Sequence, residues 1–373
     1  DEFFSQMDEL YAQSKGMPLS QTKRRDVPER NKERFKPEKV FGFLRSLAKE
    51  QGIDLTQIPR VSFVRHHLAH AASAYYFSGF TEPTLVLTLD GYGDGETGSI
   101  WVGRDGRLEE IDSFKLPHSL GWVWSMVAEY LGFEPTLQEG ELMGFAAYGK
   151  PRDSQEEKRI QKIREFMDEL ITTEPDGSFR VNPEFFYYGE LDGRQRITIQ
   201  LLERLEDVVT PSNKSAKQLD PDKDRALANF AFVLQEKTNE AVINLVKYYL
   251  AIHPKTQGLK HIAYAGGLAL NIIVNNKIIS SGLIKSSNLF IPPIPADDGT
   301  ALGAAALICK EVYGFNPMDK MQEAYYGPSY SDKEIKETLD RFGLQEGRDY
   351  VHVADKSRIA TITADLIFQD KVV

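Results

Sequence analysis

The stretch Thr84-Leu85-Val86-Leu87-Thr88-Leu89-Asp90 most restricts how this chain can fold. Its leucines, valine and threonines read as a strand. Leu85, Leu87 and Leu89 share one face and Val86 and Thr88 the other, so both faces can be covered. A strand covered on both sides calls for layers of helices, and α/β is the expected class. The strand ends in an aspartate and runs into Gly91-Tyr92-Gly93-Asp94-Gly95. Residues 99–103 read as a second strand, Asp105-Gly106 as a hairpin turn and Leu108–Phe114 as a third strand.

Strand-to-helix steps recur along the chain. Arg60–Val64 reads as a short strand running into the helical Arg65-His66-His67-Leu68-Ala69-His70-Ala71. His261–Ala265 reads as a strand, Gly266-Gly267 as a turn and Leu268–Ile279 as a helix. Leu289–Ile291 leads through Ala296-Asp297-Asp298-Gly299 into a helix from Thr300 to about Val312. Helical spacing also marks Val40, Leu44 and Leu47, with Gly52 as a stop, and residues 120–131, 332–343 and 359–368. Tyr350–Val353 reads as a strand, and Lys371-Val372-Val373 as the start of another. Between 154 and 258 the pattern is helical and polar, interrupted at 174–222 by a stretch without clear period that could border a substrate pocket.

Three histidines sit within five residues. On a helix His66 and His70 lie on one face with Cβ atoms about 6 Å apart, close enough for both rings to hold one cation. His67 and His70 could do so almost as well, and spacing does not choose between them. Glycines 91, 93 and 95 after Asp90 could bring backbone N–H groups to a phosphate, or simply form a tight acidic hairpin. Gly266 and Gly267 let a ligand lie against the backbone, with Asn271 one turn on. Asp297 and Asp298 open a helix, where one can cap while the other faces inward. His66, His70, Asp90 and Asp297 together would make a two-histidine, two-carboxylate site suited to iron(II), manganese or zinc.

Composition narrows the partners. A formal net charge of −10 argues against a nucleic-acid backbone, and Lys23-Arg24-Arg25 is a short basic cluster in a polar loop. No apolar run is long enough to span a bilayer, so no membrane partner is expected. The single cysteine, Cys309, excludes an internal disulfide framework, and a reducing, cytoplasmic setting is expected.

Six motifs occur in order: Arg65-His66-His67-Leu68-Ala69-His70, Asp90-Gly91-x-Gly93-Asp94-Gly95, Pro117-His118-Ser119-Leu120-Gly121, Glu139-Gly140-x-x-Met143-Gly144, Ala265-Gly266-Gly267-x-Ala269-Leu270-Asn271 and Ala296-Asp297-Asp298-Gly299. This succession resembles the O-carbamoyltransferases of the nodulation and antibiotic-tailoring type. The resemblance implies an actin-like ATPase fold of the sugar-kinase, ribonuclease H-like kind. It implies a part-lobe over residues 1–82 and a second lobe over 83–316 with a helical insertion at about 154–258. A connecting segment, 317–373, would lead to an adenylate-forming domain, and the chain reads as truncated at both ends. Iron or another divalent metal is implied on His66, His70, Asp90 and Asp297, and a nucleotide on Gly266, Gly267 and Asn271. ATP and carbamoyl phosphate would supply a carbamoyl group for a small-molecule hydroxyl, with His67 or His118 as candidate general base. Glu141 stands where the resemblance leads one to expect a lysine. Missing opening strands would expose a sheet edge, so the piece is expected to be poorly soluble or a homodimer. The alternatives are a tRNA threonylcarbamoyl-transfer protein and a non-catalytic nucleotide-binding domain of the actin type.

Overall fold

A computed structural model describes residues 37–54, 62–186, 197–314 and 319–371. The Lys23-Arg24-Arg25 loop, Arg60 and Val61, and the last two residues lie outside them. The chain divides into two units, residues 1–322 and 323–373.

The first unit is a layered α/β structure. After α1 (Pro37–Glu50) and α2 (His66–Tyr75), strands β1 (Thr84–Gly93), β2 (Glu96–Arg104) and β3 (Arg107–Phe114) form an antiparallel meander. Both hairpins close on two residues with positive φ, Asp94-Gly95 and Asp105-Gly106, the backbone that a right-twisted two-residue turn requires. A long excursion follows through α3 (Leu120–Leu131), α4 (Glu139–Ala146), α5 (Ser154–Leu170), the small hairpin β4 (Ile171–Thr173) and β5 (Phe179–Val181), α6 (Ile199–Leu205) and α7 (Arg225–Ala251). It returns as β6 (His261–Ala265), parallel to β1; α8 (Ile272–Ser280) then leads to β7 (Leu289–Phe290), parallel to β6, and α9 (Asp298–Tyr313). The sheet order is β3-β2-β1-β6-β7.

Strand β1 is central, and its alternation separates two cores. Leu85, Leu87 and Leu89 face a large cluster built with α3, α5 and α7. Val86 faces a smaller one with Ala71, Ala72, Ala74 and Tyr75 of α2 and Ala306 of α9. Described parts of the stretch 174–222 join the large core: Phe179 stacks on Phe114, and Phe185 meets Phe166 edge-on.

Two expected elements differ. Residues 62–65, which include the described part of the strand expected at 60–64, carry no strand. The helix expected from Leu268 starts at Ile272 instead. A tight helical turn (Gly267–Leu270) precedes it, and Asn271 caps it by accepting the Val274 N–H at 3.0 Å. Helix α2 lies on β1 and β6.

In the second unit, α10 (Asp332–Arg341) opens with a capping box between Ser331 and Glu334, and α11 (Ile359–Phe368) follows. Tyr350–Val353 forms no strand: its one ladder contact is an isolated bridge from Tyr350 to Glu346. Among the described residues, no helix is long and apolar enough to cross a membrane.

Candidate metal centre

The carboxyl end of β1, the first turn of α2 and the approach to α9 meet at one point. Helix α2 presents His66 and His70 on one face, with Nε2 atoms 3.1 Å apart. Both aim at Asp90 Oδ2, at 2.9 and 3.2 Å. Asp297 Oδ1 lies 3.5 Å from His66 Nε2 and 3.4 Å from His70 Nε2. The four donor atoms fall within 4.8 Å of one another. With bonds of about 2.1 Å, ligands on one ion stand about 3.0 Å apart at right angles and about 3.4 Å apart in a tetrahedron. The histidine–histidine and histidine–carboxylate separations, 2.9–3.5 Å, lie close to that range, and the donor set, two imidazoles and two carboxylates, suits a divalent transition metal.

The surroundings fix the inner donors and leave one loose. Asp90 Oδ1 accepts N–H bonds from Gly91 (2.7 Å) and Gly267 (3.1 Å), which turns Oδ2 toward the histidines. Burial opposes a charge on Asp90, but its bonds to His66 and His70 prevail and hold its pKa well below the carboxylate range. Burial lowers the His70 pKa, but Asp297 and Asp90 outweigh it and the net shift is upward. His70 is sealed from solvent, whereas the Asp297 side chain is 75% exposed.

Glycines set the spacing. A Cβ on Gly93 would lie 2.1 Å from the His66 ring, and one on Gly267 2.7 Å from Asp90 Oδ1. A Cβ on Gly303 would lie 1.8 Å from the Ala69 carbonyl, so α9 meets α2 backbone to backbone and brings Asp297 over the histidines. Ser119 and Gly121 brace the far side. Ser119 Oγ donates to the Gly91 carbonyl at 2.7 Å, and a Cβ on Gly121 would meet Asp90 and Gly91 main chain.

The geometry separates the candidates. His67 points away from His66 and His70, to Thr88 Oγ1 at 2.8 Å, and is fully buried. Burial and the neighbouring His66 push its pKa down to about 4, so it is a neutral core histidine with no path to an acceptor. His118 Nδ1 accepts the Val181 N–H at 3.1 Å. Burial and Arg180 lower its pKa, and the neutral ring then carries its proton on Nε2, leaving no free lone pair for a base. The glycine N–H groups expected to face phosphate are bonded inside the protein: Gly91 and Gly267 to Asp90, Gly266 to the Pro295 carbonyl at 2.7 Å. Gly93 pairs with Glu96 across the hairpin, and Gly95 sits in its turn. Asn271 uses both side-chain atoms inward, on Val274 and, at 3.0 Å, on Gln235 Oε1. Sequence reasoning missed the spacing roles of Gly121 and Gly303, which no local pattern signals.

A family model described as "Carbamoyltransferase N-terminus" matches residues 30–306, a span that contains all four donors. The chain belongs to this carbamoyltransferase family. Relatives within reach include the nodulation protein NolNO of Sinorhizobium fredii, 32% identical over 80% of this chain and 38% of its own length. An uncharacterised protein of Synechocystis sp. is 30% identical over 82% of this chain and 46% of its own. The nodulation protein NolO of Bradyrhizobium diazoefficiens is 28% identical over 83% and 49%. The chain thus spans about half or less of these carbamoyltransferase-family relatives. Among solved structures, HypF of T. kodakarensis is similar at 15% identity and a TM-score of 0.33, covering 73% of this chain and 39% of its own, a likeness too slight to bear on the fold.

Proposed function

We propose that this chain is the metal-bearing part of an ATP-dependent O-carbamoyltransferase that passes a carbamoyl group from carbamoyl phosphate, by way of carbamoyl adenylate, to a hydroxyl on a small molecule. The observation that carries the reading is the convergence of His66, His70, Asp90 and Asp297 inside the matched family span. The meander carrying two further parallel strands supports the actin-like assignment, and iron(II) is taken as the metal from the motif resemblance alone.

A bound divalent ion would supply Lewis acidity, polarising a carbamoyl carbonyl or acidifying an alcohol. The protein's own part is orientation and charge. Gly91 and Gly267 hold Asp90 Oδ1, so that Oδ2 stays ionised beside the two imidazoles. Buried His70 excludes water from one side, and exposed Asp297 marks the side from which substrate approaches. The glycine turns serve the reaction by bracing Asp90 rather than by cradling phosphate. ATP and carbamoyl phosphate enter this proposal from the family alone. A non-catalytic actin-type domain is disfavoured by the family match, and two imidazoles among the four donors are not the all-oxygen set that the magnesium of a nucleotide takes.

The test uses an enzyme that joins this chain to an adenylate-forming domain, loads it with iron(II), supplies carbamoyl phosphate, ATP and a panel of hydroxyl acceptors, and looks for the carbamoylated product by mass spectrometry. Metal-dependent product lost in Asp90→Asn is expected. Turnover that is indifferent to metal and to Asp90→Asn would remove the proposal.

A further inference from the structure

Helix α2 has a missing part. It carries two of the four donors, yet the residue before it is Arg65, whose side chain makes no capping bond. Serine, threonine, aspartate or asparagine ordinarily stands there and accepts an N–H of the first turn. An uncapped first turn frays, and His66 is its first residue.

The cap comes from a distant part of the chain. Asp94, at the tip of the β1–β2 hairpin, accepts the His66 N–H on Oδ2 at 2.7 Å. It can reach because its φ is +54°, the left-handed backbone that aspartate tolerates in such a turn. The same hairpin meets the helix start in two more ways. Gly93, with no Cβ, lets the His66 ring lie against the strand. Arg65 bonds Glu96 of β2 at 2.9 Å and Glu110 of β3 at 2.8 Å, with its guanidinium 5.8 Å from the centre of the Trp101 ring. Asp90, Gly93 and Asp94 of this segment thus meet α2 itself, and Glu96 holds the arginine just before it.

We propose that the Asp90–Glu96 segment is a latch for the metal helix, and that Asp94 is a positioning residue that caps α2 and sets the His66 ring for metal binding. One strand end then supplies both a ligand, Asp90, and the clamp for a second ligand, His66, so their separation is held by a single hairpin. The inference rests on the metal reading given above.

The test uses Asp94→Gly, which deletes the carboxylate without backbone strain because glycine accepts positive φ and Gly-Gly keeps the turn type. Asp94→Asn retains an acceptor oxygen. Cobalt(II) affinity is measured by competition with a chelator, and amide hydrogen exchange at His66 is read in the metal-free protein. Asp94→Gly is expected to bind cobalt 10- to 100-fold more weakly, the scale of loss when a residue orienting a metal ligand is removed, roughly as seen for outer-shell partners. Its His66 amide should exchange faster while the urea midpoint stays near wild type, and Asp94→Asn should recover most of both effects. Wild-type cobalt affinity and exchange in Asp94→Gly would overturn the latch. So would a loss of metal that merely tracks global unfolding, or an asparagine variant no better than glycine. If the wild type itself bound no cobalt, the metal reading would fall, and the His66 exchange rate would still decide whether Asp94 caps the helix.

Discussion

Replacing Gly303 by alanine tests how the metal centre is assembled, because Gly303 touches none of the four donors. Its added methyl would lie 1.8 Å from the Ala69 carbonyl and 2.9 Å from the Ser73 nitrogen, both main-chain atoms of α2. A carbon and a carbonyl oxygen rest at about 3.3 Å, so the helices must part by about 1.5 Å if they move straight apart. Asp297 precedes α9 and would move with it, taking Oδ1 from 3.4–3.5 Å to about 5 Å from the imidazole nitrogens. Two ligands on one ion with bonds of about 2.2 Å can be no more than about 4.4 Å apart, so Asp297 drops out of the set. Overpacking of this kind costs about 1–3 kcal/mol, against a typical total of about 5–15, so the fold survives. Metal affinity should fall about 10- to 100-fold. Calorimetric titration with cobalt(II), beside circular dichroism, measures it. Because the effect runs through Asp297, the double variant Gly303→Ala/Asp297→Ala should bind no more weakly than Asp297→Ala alone. Wild-type affinity in Gly303→Ala, or full additivity in the double variant, would refute the reasoning.

Three further outcomes follow from particular contacts. Gly267→Ala places a Cβ 2.7 Å from Asp90 Oδ1, so it should weaken metal binding before it affects any nucleotide, as paired titrations of the two ligands would reveal. His66→Ala and Asp297→Ala should both lose metal by elemental analysis with little change in the unfolding midpoint, and equal occupancy in both and in wild type would dissolve the site. Glu156 accepts both Arg225 Nε and Nη2 at 2.7 Å, and this pairing holds its carboxyl at about 2, below the ordinary 4.5. The folded value lies below the unfolded one, so the contribution, about 1–3 kcal/mol once solvent screening is allowed for, is complete above the unfolded value and drains as pH falls from about 5 toward 2. The gap in urea midpoint between wild type and Glu156→Gln should therefore be wide at pH 7 and nearly closed at pH 2.5, and a gap that ignores pH would contradict the pairing.

Much of the architecture was legible because its determinants are local. Alternation in Thr84–Leu89, the turn at Asp105-Gly106 and the apolar spacing of residues 120–131 depend on neighbours a few positions away, and each stands in the structure as read. The pairing of His66 with His70 follows from helix geometry in the same way, although spacing left His67 as a rival until Thr88 was seen to hold it. The order of the six motifs sufficed for the family resemblance, and the family model spans all of them. Other features depended on contacts between residues far apart in the chain. The described part of the strand expected at 60–64 is no strand, and Arg65 just after it is held by Glu96 and Glu110 from far along the chain. The glycines at 91, 266 and 267 looked like an anion cradle, yet the fold turns their N–H groups onto Asp90 and the Pro295 carbonyl. Asp94 capping His66 across 28 positions, and Gly303 admitting the Ala69 carbonyl, have no local signature. Periodicity reports which face of an element is apolar; it says nothing about which distant backbone will press against a given glycine. At this centre, that pressing decides where the four donor atoms stand.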